Sequence, residues 1–338
     1  MIYYKGDPMP LENYKIYVTR LIPQPGIDIL NDQIKRVSIN TDDQILDREE
    51  LLKQVEGIDG LLCLLTDKID AELMDTAGSQ LKIISNYAVG YDNIDLEAAT
   101  KRGIMVTNTP GVLTDSTADM AWALLFAIAR KIPESDQFSR TLKFKGWSPM
   151  LFLGGDITGK ILGIVGAGRI GTAMALKSSG FKMKVLYCDD LKNDIIEKNL
   201  QAQKVTFENL LQKSDFVSIH VPLWDSTHHL FDTNAFNLMK RTAYLINTSR
   251  GPVVNESALV QALKDGQIAG AALDVYEREP KINPGLIKLK NVILAPHIAS
   301  ATIETRTKMA NMAATNLVEG LSNRRPPNLV NPEVLEKR

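Results

Sequence analysis

The sequence predicts an α/β protein of two domains, each built on a parallel sheet, and three observations predict it. From Lys15 onward, short β-branched runs alternate with amphipathic segments, the pattern of βαβ units. After a less regular stretch, ESDQFSRTLKFKGWSPMLFLGGDITG, the same alternation resumes and continues to residue 298. The 338 residues, 44% of them hydrophobic and 23% charged, suffice for about two domains with real cores.

Taken in order, the first domain reads KIYVT then GIDIL, IDGLLCLL then AELMDTA, LKIIS then LEAATKR, and finally GIMVT. After Thr109-Pro110-Gly111 comes a long helix, DSTADMAWALLFAIARKI, with Ser116 and Asp119 spaced as a capping box. It is apolar on nearly every side, so it must be covered within one chain, at a domain junction or at a subunit interface. The second domain continues through FENLLQK, DFVSIHV, TNAFNLMK, AYLINTS, ESALVQALKDG, IAGAALDVY and NVILAPHI. A last helix, Ser300 to about Leu321, has no strand after it and is expected to cross back onto the first domain, with RRPPNLVNP as an extended tail. The expected division is therefore 1–112 with 302–338, discontinuous, and 113–301.

The run KILGIVGAGRIGTAMALKSSGFKMKVLYCDD, 160–190, is the most informative. An apolar strand feeds a Gly-x-Gly-x-x-Gly turn, a helix and a second strand ending in carboxylates, which reads as a dinucleotide-binding, Rossmann-like βαβ unit. Gly166 permits the tight turn, Gly168 lets the backbone approach a pyrophosphate, and Gly171 lets the helix pack closely on the strand. Asp189, 23 residues after Gly166, stands where a carboxylate accepts the ribose hydroxyls of NAD and repels the 2′-phosphate of NADP, so NADH is the expected preference, with NADP possible. A flavodoxin-like turn without a nucleotide is the bland alternative.

Thirty-nine basic residues against forty acidic ones, with no basic stripe interleaved with aromatics, recommend neither nucleic acid nor an anionic membrane as partner. The longest apolar run, Met120 to Ala129, is ten residues, and the start MIYYKGDPMPLENY lacks an apolar signal core, so a cytoplasmic protein is expected. Cys63 and Cys188 sit inside strand-like segments as buried reduced thiols, and no metal site is expected.

Gly166, Asp189, His220, Arg250, Asp274 and His297 all lie at or just beyond the C-terminal ends of predicted parallel strands, the edge where open α/β sheets bind ligands. Histidine is scarce: only His220, His228, His229 and His297 occur. His297 follows a strand and a proline and should project into a cleft between the domains. Arg250 in INTSRG and Glu279 in YEREP follow two other strands, so an acid, a base and a guanidinium could converge there. Singly, each could equally be a surface ion-pair partner or a solvated loop residue.

In its motifs the chain resembles the D-isomer-specific 2-hydroxyacid dehydrogenase family over nearly its whole length. NYAVGYDNID at 86–95, GIVGAGRIG at 163–171, HVPL at 220–223, INTSRG at 246–251, GAALDVYEREP at 270–280 and APHIASAT at 295–302 occur in the family's order and spacing. The nearest branch is that of glyoxylate and hydroxypyruvate reductases, to which 2-ketogluconate reductases are similar, notably through LLTDKID at 64–70. Departures are Ala299, where glycine is usual, and Trp224-Asp225-Ser226, where Thr-Pro-Glu is commoner.

The resemblance implies NAD(P)H-dependent reduction of a small 2-keto acid to the D-2-hydroxy acid, and the reverse oxidation. His297 would be the acid–base, Glu279 its partner, and Arg250 the group that orients the substrate and stabilises the oxyanion. Backbone N–H groups of Val89 and Gly90 would bind the substrate carboxylate, and those of Arg169 and Ile170 the pyrophosphate. Asp274 would meet the nicotinamide carboxamide, unless it is a strand-end cap, and His220 and Pro222 would line the adenosine side. His228 and His229 read as surface or packing residues.

The alternative from another class is a nicotinamide-sensing binding protein or co-repressor scaffold, disfavoured because Arg250, Glu279 and His297 occur together and no long extra tail does. Formate dehydrogenase, on the same fold, is disfavoured by Glu279 in place of glutamine, and a long phosphoglycerate dehydrogenase by the absence of a domain after residue 338. A homodimer is expected, from the apolar helix around Met120 to Ile128 and the aromatic arm through Phe144, Trp147 and Phe152.

Overall fold

The structure, a computed structural model, describes residues 10–337, so the beginning of the polar N-terminal stretch and Arg338 lie outside the description. The chain divides into two compact units, one made of Met1–Leu113 with Ala301–Arg338 and the other of Thr114–Ser300.

The first unit carries strands β1 (Lys15–Val18), β2 (Arg36–Ile39), β3 (Gly60–Cys63), β4 (Ile83–Asn86) and β5 (Met105–Thr107), all parallel in the order β2-β1-β3-β4-β5. β3 and β4 are buried along their full length, which is why they read as continuous apolar runs. β2 is an edge strand, half-exposed, and RVSI offers too little apolar patterning to stand out between Lys35 and Asn40. The helix Ile303–Leu321 starts a little after Ser300, capped by Thr302, whose Oγ1 accepts a hydrogen bond from Thr305 N at 3.1 Å. It packs on β3, β4, β5 and the helix Gln24–Asn31. There Gly26 is required by proximity, because a Cβ would lie 2.7 Å from that of Ala310. The tail then covers the open edge of β5: Val330 N donates to Val106 O at 2.9 Å, and Val106 N to Asn331 Oδ1 at 2.8 Å.

The second unit carries β6 (Ile161–Val165), β7 (Lys184–Cys188), β8 (Gln203–Lys204), β9 (Phe216–Ile219), β10 (Tyr244–Asn247), β11 (Gly270–Leu273) and β12 (Val292–Leu294). They form one parallel sheet in the order β12-β11-β10-β9-β6-β7-β8. The chain leaves β6 towards β7 and β8, then returns to the other side of β6 as β9. This reversal opens a crevice at the C-terminal ends of β6 and β9.

The long helix spans Thr114–Arg130. Ala118, Trp122, Leu125 and Ile128 share one core with Leu162, Ile164, Phe216 and Ile246 of the sheet. Its apolar sides are thus mostly covered by its own unit, leaving a row at Asp115, Asp119 and Ala123 exposed. The predicted capping box is absent. The helix begins before Ser116, which is buried in the first turn, and Asp119 is drawn to Lys177 of the neighbouring helix at 3.0 Å. Beyond it, the helix Ile132–Arg140 buries no residue, and the following arm exposes Leu142 (78%), Phe144 (57%), Trp147 (85%) and Met150 (74%).

Candidate active site

The glycine turn joins β6 to the helix Arg169–Lys177, and each glycine has a distinct physical reason. Gly166 adopts φ +91°, and a Cβ there would press on His220 and Val221 at the end of β9. A Cβ on Gly171 would run into the carbonyl oxygen of Gly166, so only glycine lets the helix sit this close to β6. Gly168 is different: nothing lies within 4 Å of where its Cβ would be. That open space, at the N-terminus of a nine-residue helix whose first N–H groups at Arg169, Ile170 and Gly171 have no intrahelical acceptor, fits a pyrophosphate.

Ala167, between the first two glycines, is pinned on both sides. Its N–H donates to Asp189 Oδ2 at 2.7 Å, and its carbonyl accepts from Asn193 Nδ2 at 2.8 Å. Asn193 also donates to Thr172 Oγ1 at 2.7 Å and caps the helix Asp194–Leu200. Asp189 Oδ1 accepts from Leu191 N at 3.0 Å, so the carboxylate is fixed with lone pairs left on both oxygens. Lys192, the nearest cation in sequence, does not fold back onto Asp189 but pairs with Asp194 at 2.8 Å and Glu197 at 3.2 Å.

His220 continues β9, donating its N–H to Val165 O at 2.7 Å. Its ring Nε2 lies 2.9 Å from Ser218 Oγ, and burial pushes its pKa down to about 3, so it is neutral and unsuited to acid–base work near neutral pH. Pro222, two residues on, is exposed.

At the ends of β10, β11 and β12 the structure gathers Arg250, Asp274, Glu279 and His297. His297 Nδ1 is 2.8 Å from Glu279 Oε2, and Glu279 Oε1 accepts from Tyr276 N at 3.0 Å. Burial raises the Glu279 pKa, but the bond to His297, the Tyr276 N–H and the charge of Arg250 together hold it below the usual carboxylate range. His297 adopts φ +54°, a left-handed conformation that costs a non-glycine residue about 1–3 kcal/mol. It is held there by its own N–H on Asp274 O at 2.9 Å and by Asp274 beneath the following peptides. Asp274 Oδ1 accepts from Ile298 N at 2.8 Å and Oδ2 from Ala299 N at 2.7 Å. Its side chain is therefore a strand-end cap in the structure, and burial outweighs these two bonds in raising its pKa. Arg250 is set by buried Asn247, whose Nδ2 donates to Arg250 O at 3.0 Å while its Oδ1 accepts from Ser249 N and Oγ. Arg250 Nη1 donates to Ser249 O at 2.9 Å.

In the first unit, the peptides around Val89 and Gly90 are oriented by their carbonyls. Ala88 O accepts from Thr109 N at 2.9 Å, Val89 O from Asn108 Nδ2 at 2.8 Å and Gly90 O from Asn86 Nδ2 at 2.9 Å. In a planar trans peptide the N–H points opposite to the carbonyl, so the N–H groups of Val89 and Gly90 are turned away from these partners.

The sequence reads His229 as a surface or packing residue, and in the structure its ring stacks on His228 and also meets a carboxylate. His229 Nε2 lies 2.9 Å from Glu277 Oε1, two residues before Glu279. Asn193 and Asn247 were also missed: each acts on backbone atoms that a side-chain pattern does not display.

A parallel sheet with a switch-point crevice, a glycine turn on a helix N-terminus and a histidine–carboxylate pair beside an arginine fit a dinucleotide-binding enzyme of the doubly wound class. The profile of the D-isomer specific 2-hydroxyacid dehydrogenase NAD-binding domain matches residues 122–299. A glyoxylate reductase of Thermococcus litoralis is 52% identical over 325 residues, covering 95% of this chain and 98% of that one. A crystal structure of a Thermus thermophilus protein, 43% identical, superposes with a TM-score of 0.87 over 94% of this chain and 99% of that one. An NADPH-dependent glyoxylate/hydroxypyruvate reductase of Sinorhizobium meliloti, solved with NADP and malonate, is 30% identical with a TM-score of 0.82, covering 95% and 97%. The chain belongs to the D-isomer-specific 2-hydroxyacid dehydrogenase family.

Proposed function

We propose that this dehydrogenase reduces small 2-keto acids, glyoxylate first and hydroxypyruvate or 2-ketogluconate next, and catalyses the reverse oxidation. The observation that carries the reading is the His297–Glu279 pair at 2.8 Å, set beside Arg250 at the strand ends of a domain that matches the family's NAD-binding domain. When bound, the reduced nicotinamide supplies a hydride. His297, with Nδ1 on Glu279, keeps Nε2 for the substrate and gives its proton to the 2-keto oxygen there; in oxidation the neutral ring takes that proton back. Glu279 orients the imidazole by holding Nδ1. Arg250 orients the carbonyl and stabilises the charge that develops on its oxygen. The N–H groups of Val89 and Gly90 take the substrate carboxylate, which makes 1–112 with 302–338 the substrate domain.

On the cofactor side, 113–301 is the dinucleotide-binding domain. Gly166, Gly168 and Gly171 shape the turn, Arg169 and Ile170 offer N–H groups to the pyrophosphate, and His220 and Pro222 line the adenosine side. Asp274 meets the carboxamide with the lone pairs its capping bonds leave. Asp189 takes the ribose hydroxyls and disfavours a 2′-phosphate, and since Lys192 is committed to Asp194 and Glu197, nothing on that loop offsets the charge.

The test is a spectrophotometric screen of glyoxylate, hydroxypyruvate, 2-ketogluconate, pyruvate and phenylpyruvate with NADH and NADPH. Glyoxylate with NADH is expected to give the highest kcat/KM, about tenfold or more above NADPH, a difference of about 1.4 kcal/mol. Turnover of none of them would sink the reading in favour of a binding scaffold. Preference for NADPH would refute the role of Asp189 alone.

A homodimer is part of the same proposal, now motivated by the exposed arm from Leu142 to Leu153 rather than by the long helix, which its own unit covers. Light scattering at micromolar concentration should give twice the 37.4 kDa chain mass, and a stable monomer would refute it. Among the described residues no helix is long and apolar enough to cross a membrane, and a cytoplasmic site of action is proposed.

A further inference from the structure

We infer that His229 is a positioning residue that locks the loop carrying Arg250 to the loop carrying Glu279, through a second histidine–carboxylate pair with Glu277. This role rests on the assignment of Arg250, Glu279 and His297 as the reacting groups.

His229 reaches both loops. Its backbone N–H donates to Pro252 O at 2.8 Å, two residues after Arg250, and its ring Nε2 lies 2.9 Å from Glu277 Oε1. The two loops are in direct contact, since a Cβ on Gly251 would run into the backbone of Tyr276 and Glu277. Glu277 is fastened in turn to the start of the helix Glu256–Lys264: its Oε2 accepts from Glu256 N at 3.1 Å, and its N–H donates to Glu256 Oε1 at 2.8 Å. Placing the proton on Nε2 satisfies the set, because Nδ1 then faces the donor Asn255 Nδ2 at 3.5 Å. His229 adopts φ +53°, so its backbone, like that of His297, is held in a conformation that needs surrounding support. The left-handed backbone is shared by residues such as Lys131, Lys182 and Gln201, so what sets His229 apart is its two anchors, one on each loop, with the bonded carboxylate two residues from Glu279.

The test compares His229→Asn with His229→Gln in the full chain. Asparagine adopts the left-handed backbone readily but is too short to reach Glu277, whereas glutamine is long enough to offer an N–H donor there. His229→Asn should lower kcat/KM for glyoxylate about ten- to a hundredfold while NADH affinity stays within about twofold, since a misplacement of order 1 Å is felt by the chemistry and not by a distant binding turn. His229→Gln should restore most of the loss. Hydrogen exchange gives a readout independent of turnover: in His229→Asn the amides of Gly251, Val253 and Val254 and of Tyr276, Glu277, Arg278 and Glu279 should exchange faster, and in His229→Gln they should not. Unchanged exchange in both loops of His229→Asn would overturn the role whatever the activity, as would equal losses in the two variants, or a loss of NADH binding in step with a lower Tm. A wild-type enzyme inactive on every 2-keto acid would instead sink the functional reading, and exchange would still decide the link between the loops.

Discussion

Two histidine–glutamate pairs have their glutamates two residues apart on one loop, and they are nearly the same object. His297–Glu279 spans 2.8 Å with side chains 26% and 29% exposed; His229–Glu277 spans 2.9 Å with 31% and 23%. Both histidines are left-handed, at φ +54° and +53°. The difference lies in which nitrogen is used. His297 meets its carboxylate through Nδ1, so Nε2 points away from Glu279 and can serve a reacting atom. His229 spends Nε2 on Glu277 and turns Nδ1 to Asn255, and the second oxygen of Glu277 is committed to a helix N-terminus. Residue type, distance and burial do not separate the proposed proton donor from the proposed brace; the ring nitrogen left uncommitted does.

The largest expected effect is on the side with the open nitrogen. His297→Ala should cost about a hundredfold or more in the rate of hydride transfer, the scale of a lost general acid, with NADH binding retained. A variant with near-wild-type activity would erase the distinction between the pairs. A finer cut compares Glu279→Gln with Glu277→Gln. Removing the carboxylate beside His297 should move the acid limb of the pH–rate profile in both directions of the reaction, because it takes away the group whose protonation breaks the bond to the ring. Because Glu279 is held below the usual carboxylate range, its stabilising contact persists above its ordinary pKa and is lost only as pH falls through the lowered value. Glu277→Gln should lower kcat without moving either limb. The check is a set of pH–rate profiles under conditions where an isotope effect shows hydride transfer to limit the rate, and equal displacement by both substitutions would make the pairs equivalent.

The same contrast shows what a sequence displays. Gly166, Gly168, Gly171, Arg250, Glu279 and His297 stand out as candidates because they lie at or after strand ends, and strand ends are marked by apolar runs that stop. The parallel architecture was legible for the same reason, except at β2, an edge strand whose RVSI carries little burial signal. His229 was not legible as a brace because Glu277 lies 48 residues away and His229 itself stands well beyond the end of β9, where no apolar run marks it. Asn193 escaped likewise: its partner Ala167 is 26 residues back and is touched only on the backbone. The long apolar helix Thr114–Arg130 was read correctly as needing cover, yet composition could not choose its own sheet over a partner subunit. Asp274 stood between two readings, and both of its oxygens are engaged in capping the loop after His297.

A third histidine supplies the reference state for the comparison and the smallest predicted effect. His220 has no carboxylate, only Ser218 Oγ at 2.9 Å, and burial alone takes its pKa from 6.5 to about 3. Between those values the unfolded chain binds a proton that the folded chain refuses, so stability falls as pH is lowered from about 6.5 towards about 3, and above 6.5 the group contributes nothing to the pH dependence. The contribution lost is at most about 2 kcal/mol at pH 5, at about 1.4 kcal/mol for each pH unit below the unfolded value. His220→Asn keeps a polar group that can meet Ser218 but removes the titration. Its Tm should therefore decline less than that of the wild type between pH 7 and pH 5, while its pH–rate limbs stay in place. An unchanged acid slope in thermal unfolding would mean that the unpaired ring takes up its proton without unfolding, and that a carboxylate partner is not what separates His220 from the other two.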